Sequence, residues 1–135
     1  MASIRKETII DASAASVWDA VRDFGAVHVR LAPGFVTDAR MDGADRIVTF
    51  VSGNTVREVL IDSDDTKKRL AYSIVNERFK HHSASVQITD EADNRCRFVW
   101  TADMLPNELA PFIDSQMDLG MIAMKKALER NKTVA

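Results

Sequence analysis

From residue 35 onwards, apolar and polar side chains alternate along most of the chain, which is the pattern of strands with one buried face. Turn residues such as Asp42-Gly43 and Gly53-Asn54 separate the alternating stretches. Connections this short join only antiparallel neighbours, because a parallel crossover needs roughly a dozen residues or more. The pattern predicts a meander of six strands, over residues 35–41, 46–51, 55–61, 69–76, 81–89 and 95–102.

A further strand and two short helices are predicted before the meander. Residues 4–10 are rich in β-branched side chains and predict a strand that joins one edge of the sheet. Ser13 can cap a following helix, because its hydroxyl accepts a hydrogen bond from a free amide in the first turn. Gly25 ends this helix, and residues 27–31 predict a second short helical segment.

The C-terminal part of the chain predicts one long amphipathic helix. It is expected to begin between Asn107 and Pro111 and to run to about residue 131. Charged residues share one side of this helix and apolar residues the other, so the apolar side should be buried against the sheet. The predicted fold is therefore α+β: a curved seven-stranded antiparallel sheet wrapped around a long C-terminal helix, with two short helices after the first strand.

Composition and charge narrow the classes of partner. The chain has 135 residues, of which 46% are hydrophobic and 28% charged, and residues 1–135 are expected to form a single domain. The net charge is −2 and the basic residues are scattered, which argues against nucleic acid as a partner. No apolar run is long enough to span a membrane, and Glu7 and Asp11 interrupt any signal peptide, so we expect a cytoplasmic location.

The sequence contains no motif for a cofactor or a metal ion. There is no glycine-rich phosphate loop, no His-Glu-x-x-His and no paired Cys-x-x-Cys. The one cysteine, Cys96, excludes an internal disulfide and is expected to be a small buried side chain. We therefore expect no cofactor and no metal, and a homodimer stays open.

Several local sequences resemble one known superfamily. Residues 12–24 (ASAASVWDAVRDF), Pro33-Gly34, residues 57–62 (REVLID) and residues 71–74 (AYSI) resemble the polyketide cyclase/dehydrase branch of the StAR-related lipid-transfer and birch-pollen-allergen (SRPBCC) superfamily. The resemblance implies a helix-grip fold, in which sheet and helix enclose a deep cavity for steroids, lipids, plant hormones or polyketides. It also implies a function among carriers, receptors, cyclases and chaperone activators.

Glu58 is the first candidate for the wall of such a cavity. It shares one face of the predicted strand 55–61 with Val56 and Leu60. The resemblance adds that plant hormone receptors of this superfamily turn a glutamate of a matching Glu-x-Leu stretch into their cavity. An inward Glu58 would serve as a polar anchor or as a general acid or base. A shift of one residue in the strand register would instead turn Arg57 inward and leave Glu58 in water.

The following strands supply the other candidates for the wall. His81 and His82 are adjacent on a strand, so they point to opposite faces and cannot bind one metal ion together. His82 shares its face with more apolar neighbours and is expected to point inward, as a wall residue or, alternatively, as a proton-transfer group. The remaining candidates on the strands are Tyr72, Ile74, Val86, Phe98 and Trp100.

The long helix contributes Phe112, Gln116 and Gly120. Gln116 lies near the centre of the apolar face, where an unpaired amide costs about 1–3 kcal/mol, so it should have a partner in a side chain, a water or a ligand. Gly120 removes side-chain volume where the helix meets the sheet. That missing volume either contributes to a cavity or allows the helix to pack closely on the sheet.

Three hypotheses for the function follow. The leading one is binding of a small hydrophobic or amphipathic molecule, such as a lipid, sterol, polyketide or aromatic compound, with Glu58, His82 and Gln116 holding its polar groups. The second is an enzyme similar to polyketide cyclases or dehydratases, with Glu58, His82 and Tyr72 as the catalytic candidates. The third is a protein-interaction module similar to chaperone activators. Whether the chain is an enzyme stays open.

Overall fold

The alternating stretches form the strands of one antiparallel sheet. A computed structural model describes residues 1–132, with side chains described for residues 1–130. The strands follow one another in the spatial order β1-β7-β6-β5-β4-β3-β2, so β2 to β7 are a meander and β1 is added beside β7. The strands are β1 Ala2–Ile10, β2 Val36–Asp42, β3 Asp45–Phe50, β4 Thr55–Asp64, β5 Arg69–Val75, β6 His81–Glu91 and β7 Arg95–Leu105.

Two α-helices and several short turns complete the described chain. The helices are α1 (Ala14–Arg22) and α2 (Ala110–Lys132). Between α1 and β2 lie a 3₁₀ turn at Phe24–Ala26 and a wide π-helical turn at Val27–Leu31, which is the second short helical segment that the sequence predicts. Further 3₁₀ turns lie at Ala92–Asn94 and Asn107–Leu109. Neither α1 nor α2 combines the length and the apolar character that a helix needs to cross a membrane.

The strand ends differ from the predicted ones by a few residues. β4 continues to Asp64 because its pairing with β5 shifts by one residue between Leu60 and Asp62, which is the signature of a β-bulge. β7 continues to Leu105, which pairs with His81 at the start of β6. The predicted order of elements is confirmed.

α1 fills one end of the curved sheet. Ser13 caps the helix as predicted, with its Oγ accepting from the backbone N–H of Ser16 at 3.1 Å. The buried face of α1 includes Val17, Trp18 and Val21 and packs against β6 and β7. Val17 and Trp18 occupy the inner face of the sheet here and belong to the filled core, while Val21 lies at the border of an internal cavity.

α2 is tied to the edge strand β1 by its charged side. Lys6 Nζ lies 2.8 Å from Asp114 Oδ1 and 2.9 Å from Asp118 Oδ1. About two turns before the C-terminal end of α2, Lys125 Nζ donates to the backbone carbonyl of Ile9 and to Glu129. The charged side of α2 therefore lies along β1.

Because these ion pairs fix the orientation of α2 about its axis, the side of the helix that is buried differs from the predicted one. The most buried large side chains of the helix are Met117, Met124 and Leu128, at the side adjoining the charged residues. Gln116, predicted near the centre of the buried face, lies at its margin and is half-buried. Leu119 and Ile122 are 50% and 67% exposed on the outer side.

Gly120 is the point of closest approach between α2 and the sheet. A Cβ atom at this position would lie 2.9 Å from Trp100 Cζ3 and 3.2 Å from Phe35 Cε2. Distances this short leave no room for a methyl group unless the rings move. Close packing is therefore the interpretation of Gly120 that the structure supports.

We predict that Gly120→Ala lowers the free energy of unfolding by about 1–2 kcal/mol, because the cost of overpacking exceeds the helix propensity gained over glycine. Urea unfolding would measure this change. Ser115→Ala, on the exposed side of the same helix, is the control and should change stability by less than about 0.5 kcal/mol. Equal or greater stability of Gly120→Ala would contradict the close packing.

Candidate ligand-binding site

A cavity of about 280 Å³ lies between the inner face of the sheet and the first half of α2. Ligand pockets in proteins usually measure about 300–1,000 Å³, so this cavity is at the small end of the range. Most of its wall is apolar and comes from alternate residues of the middle strands. The apolar side chains of the strands that line it include Val48, Phe50, Val56, Leu70, Ile74 and Val86.

The cavity opens to solvent between the β3–β4 hairpin, the β5–β6 loop and the beginning of α2. Asn54, Arg78 and Phe112 line the cavity and are exposed, which identifies this side as its mouth. Phe79 of the β5–β6 loop also lines the cavity and is half-buried. We did not predict a role for this loop, although an aromatic residue between polar neighbours was a signal that could have indicated one.

Glu58 faces the cavity and is held in a buried ion pair. Its Oε1 accepts from Arg46 Nε at 2.8 Å and lies 2.7 Å from Arg46 Nη2. Both residues are buried, with 5% and 6% of their surface exposed. Arg57, which the alternative register would turn inward, lies on the outer face and pairs with Asp42 and Asp45.

Arg46 is a cavity residue that the sequence analysis missed. Its Nη1 donates to the backbone carbonyl of Phe24 at 3.1 Å. Its Cζ lies 3.9 Å from the centre of the Phe24 ring and 5.4 Å from the centre of the Tyr72 ring, so aromatic rings cover the guanidinium. Arg46 shares its face of β3 with Val48 and Phe50, and this alternation was the available signal. An arginine at the start of a strand is usually exposed, so alternation alone does not indicate that Arg46 is buried.

His82 lies in the wall with its proton position fixed by the backbone. Its Nδ1 accepts a hydrogen bond from the Ile74 N–H at 3.0 Å, so the proton of the neutral ring must be on Nε2. Burial, with a smaller contribution from the charge of His81, lowers the pKa of His82 to about 4. The imidazole is therefore neutral at pH 7. Its ring also packs on Phe79, with 5.0 Å between the ring centres.

Tyr72 and Trp100 form a hydrogen-bonded pair across the wall. Trp100 Nε1 donates to Tyr72 Oη at 3.1 Å. Burial, together with the negative charge of Glu58, raises the pKa of Tyr72 well above its ordinary value. The phenol therefore keeps its proton at neutral pH and acts as a hydrogen-bond donor.

Most, but not all, of the predicted wall residues line the cavity. Glu58, Tyr72, Ile74, His82, Val86, Trp100, Phe112 and Gln116 line it. Phe98 and Gly120 do not. Phe98 is fully buried opposite Ile88, in the part of the sheet that α1 fills, and Gly120 is covered by the rings of Trp100 and Phe35. The prediction that these two residues face the cavity is therefore wrong.

Gln116 lines the cavity without a hydrogen bond to any residue in the described part of the chain. Its side chain is half-buried, so a protein partner is not obligatory and the amide faces the cavity opening. Cys96 is buried elsewhere in the core, and burial raises the pKa of its thiol to about 11. Within residues 1–132, no cluster of His, Cys, Asp and Glu is arranged to hold a metal ion.

Comparison with known proteins identifies the family. The sequence matches the family model described as polyketide cyclase/dehydrase and lipid transport over residues 1–135. The chain belongs to this family. The match confirms the resemblance drawn from residues 12–24, 57–62 and 71–74. No curated protein matches the sequence.

Several solved structures share the fold of this chain. A solution structure of a protein from Thermobifida fusca is 28% identical, with a TM-score of 0.78 over 96% of this chain and 95% of that one. A norcoclaurine synthase from Thalictrum flavum, solved with a transition-state analogue, is 18% identical, with a TM-score of 0.76 over 97% and 96%. A START superfamily protein from Mycobacterium smegmatis is 14% identical, with a TM-score of 0.73 over 98% and 97%. These similarities confirm the helix-grip fold.

We predict that Glu58→Gln lowers the free energy of unfolding by about 3–5 kcal/mol, because it leaves the buried guanidinium of Arg46 without a counter-charge. Asp45→Asn is a matched control: Asp45 and Arg57 form an ion pair between the same two strands on the outer face, 2.8 Å apart. The control should cost less than about 1 kcal/mol, because this pair is partly exposed. Similar losses of unfolding free energy in the two variants, measured by urea unfolding, would show that breaking the buried pair costs no more than breaking the partly exposed one.

We predict that His82 makes the protein less stable below pH 6.5. The pKa of His82 is about 4 in the folded state against an ordinary value of 6.5, so its stabilising contribution is fully present above pH 6.5 and decreases as the pH falls towards 4. At pH 5 the loss should be about 2 kcal/mol relative to pH 7.

Urea unfolding at the two pH values, repeated for His82→Asn, tests this prediction. The variant should lose most of the pH-dependent difference, because asparagine does not titrate. His81→Asn, at the neighbouring exposed position, is the control and should keep it. An equal reduction in both variants would rule out the buried imidazole as the source.

Proposed function

We propose that this chain binds a small hydrophobic molecule in the cavity between the sheet and α2, and that it holds this molecule without transforming it. One observation carries the proposal: the cavity has an apolar wall interrupted by a few polar groups, and exposed residues of the β3–β4 hairpin, the β5–β6 loop and the beginning of α2 line its mouth. Membership in a family described by cyclases, dehydrases and lipid transport supports a hydrophobic ligand.

The size of the cavity favours a compact ligand. A volume of about 280 Å³ suits a molecule with one or two rings better than a sterol or a long acyl chain. Aromatic residues at the mouth and in the wall, Phe112, Phe79 and Trp100, supply surfaces on which a flat ring can pack.

The polar groups of the wall support binding more than acid–base catalysis. A general base needs a free lone pair on an atom within reach of the substrate. In His82 the lone pair is on Nδ1 and is used by the Ile74 N–H. The Glu58 carboxylate is held by Arg46 through Oε1, so Oε2 is a hydrogen-bond acceptor of fixed position, and the Tyr72 phenol keeps its proton. These groups are suited to orienting a ligand by hydrogen bonds.

We predict that neutral one- and two-ring aromatic compounds stabilise the protein against heat. A ligand at about 100 times its Kd adds about 2.7 kcal/mol, which for a chain of this size raises Tm by roughly 5 °C or more. Ile113→Trp, which enlarges a side chain that lines the cavity near the mouth, should remove this response.

Leu119→Trp is the matched control for this experiment, because it makes a similar enlargement on the exposed side of the same helix. It should respond to the ligands as the unmodified protein does. Each shift is measured against the variant's own Tm without ligand, so a loss of stability in the variant does not affect the comparison. No stabilisation of the unmodified protein by any compound, or an undiminished response of Ile113→Trp, would contradict the proposal.

A further inference from the structure

The polar groups that remain available inside the cavity define the kind of ligand it can hold. Away from the exposed residues of the mouth, the side chains that line the cavity and keep unused hydrogen-bonding capacity are His82, Tyr72, Glu58, Gln116 and Asn76. Each has at least one polar hydrogen or lone pair without a partner among the described residues. A ligand suited to the cavity makes hydrogen bonds to groups of this set and carries no charge that would be left unpaired there.

His82 offers a donor and nothing else. Its Nδ1 accepts from the Ile74 N–H, so Nε2 carries the proton. Nε2 has no hydrogen-bond partner in the described part of the chain. Among the described residues, the side-chain nitrogen or oxygen that is both inaccessible to water and without a partner is His28 Nδ1. Since Nε2 of His82 also has no partner, it must be accessible to a water molecule. The Nε2–H group is therefore accessible from the cavity.

Tyr72 offers a second donor next to the first. The Tyr72 oxygen already accepts from Trp100 Nε1, which leaves the hydroxyl proton for an acceptor in the cavity. Tyr72 and His82 lie on the same face of neighbouring strands, and their ring centres are 6.1 Å apart. Both side chains also line the cavity, so a ligand oxygen held between the two rings is the acceptor that both donors would share.

The ion pair makes the deep part of the cavity electrically neutral. Arg46 and Glu58 carry opposite charges, and the guanidinium is covered by Phe24 and Tyr72 on its faces and by Glu58 at its edge. A ligand anion would therefore meet the Glu58 carboxylate, while a ligand cation would compete with Arg46 for that carboxylate at a cost to the buried pair. The other charged residue that lines the cavity, Arg78, is exposed at the mouth.

We infer that the cavity takes an uncharged apolar molecule with a carbonyl oxygen, such as an aromatic or alicyclic ketone, and that this oxygen accepts hydrogen bonds from His82 Nε2–H and Tyr72 Oη–H. The inference rests on the proposed function and adds the polar group of the ligand. A hydroxyl group on the same molecule could donate to Glu58 Oε2, because both contacts from Arg46 are made to Oε1.

Three probes of nearly the same shape test this inference by titration calorimetry at pH 7.5. They are 2-acetylnaphthalene, 2-isopropenylnaphthalene, which has a methylene group in place of the carbonyl oxygen, and 2-naphthoate, which is an anion. The ketone should bind about tenfold more tightly than the hydrocarbon, because a neutral hydrogen bond contributes roughly a two- to tenfold gain and two are expected. The anion should bind most weakly.

Variants show whether the two donors cause this preference. His82→Asn and Tyr72→Phe should each reduce the ratio of ketone to hydrocarbon affinity several-fold; the asparagine amide oxygen can still accept from the Ile74 N–H. Phe79→Leu is the apolar control, since it changes the wall without removing a donor. It should weaken both probes alike and leave the ratio unchanged. Because the ratio compares two probes of nearly the same shape in the same variant, it still reports on the donors when a substitution perturbs the whole cavity.

The outcomes separate this inference from the proposed function. Equal affinity for ketone and hydrocarbon would overturn the inference and leave hydrophobic binding intact. Tightest binding of 2-naphthoate would overturn it in favour of an anion site. An unchanged ratio in both donor variants would also overturn it. Failure of all three probes to bind the unmodified protein would contradict the proposed function, and the inference with it.

Discussion

The buried ion pair between Arg46 and Glu58 is the constraint on which the site depends. Burying two charges costs several kcal/mol for each ion, and this cost is offset only by close contacts and by hydrogen bonds that satisfy the remaining donors. The contacts of Arg46 meet this condition, because they join β4 through Glu58 and the turn after α1 through the Phe24 carbonyl. Apolar residues of similar volume often stabilise a core as well as an ion pair does. A contribution to the free energy of folding therefore does not by itself explain why this pair is present. The pair also gives the cavity a wall that is polar and carries no net charge, and this role explains its presence better.

A cavity persists beside this pair because the two ends of the sheet are filled differently. At one end α1 inserts Val17 and Trp18 against β6 and β7, and the core there is closed, while Val21 of the same helix borders the cavity. At the other end α2 crosses the sheet while Lys6 and Lys125 hold its charged side on the edge strand. Gly120 brings the middle of α2 into contact with Trp100, and the first half of the helix then forms one side of the cavity. The cavity is thus a consequence of how the helix is anchored.

Strand alternation predicted which residues face inward, and it could not predict how far along the sheet the cavity extends. Glu58, Tyr72, His82 and Trp100 follow from the period of two, because this period depends on the backbone of each strand alone. Phe98 has the same parity as Trp100, but whether an inward residue meets α1 or empty space is decided by tertiary packing. The partner of Glu58 was missed for a similar reason: the pairing of Arg46 with Glu58 is set by the register between β3 and β4. The rotation of α2 depends on Lys6, a residue more than a hundred positions away in the sequence.

The state of the inward polar groups distinguishes holding a ligand from changing it. A norcoclaurine synthase shares the architecture of this chain, so the fold by itself does not exclude chemistry. Acid–base chemistry requires a group whose proton is gained and lost near neutral pH. Here a backbone N–H fixes the His82 tautomer, and burial keeps the imidazole neutral and the Tyr72 phenol protonated. In the proposed function, groups fixed in this way act as permanent dipoles that would orient a ligand without exchanging protons with it.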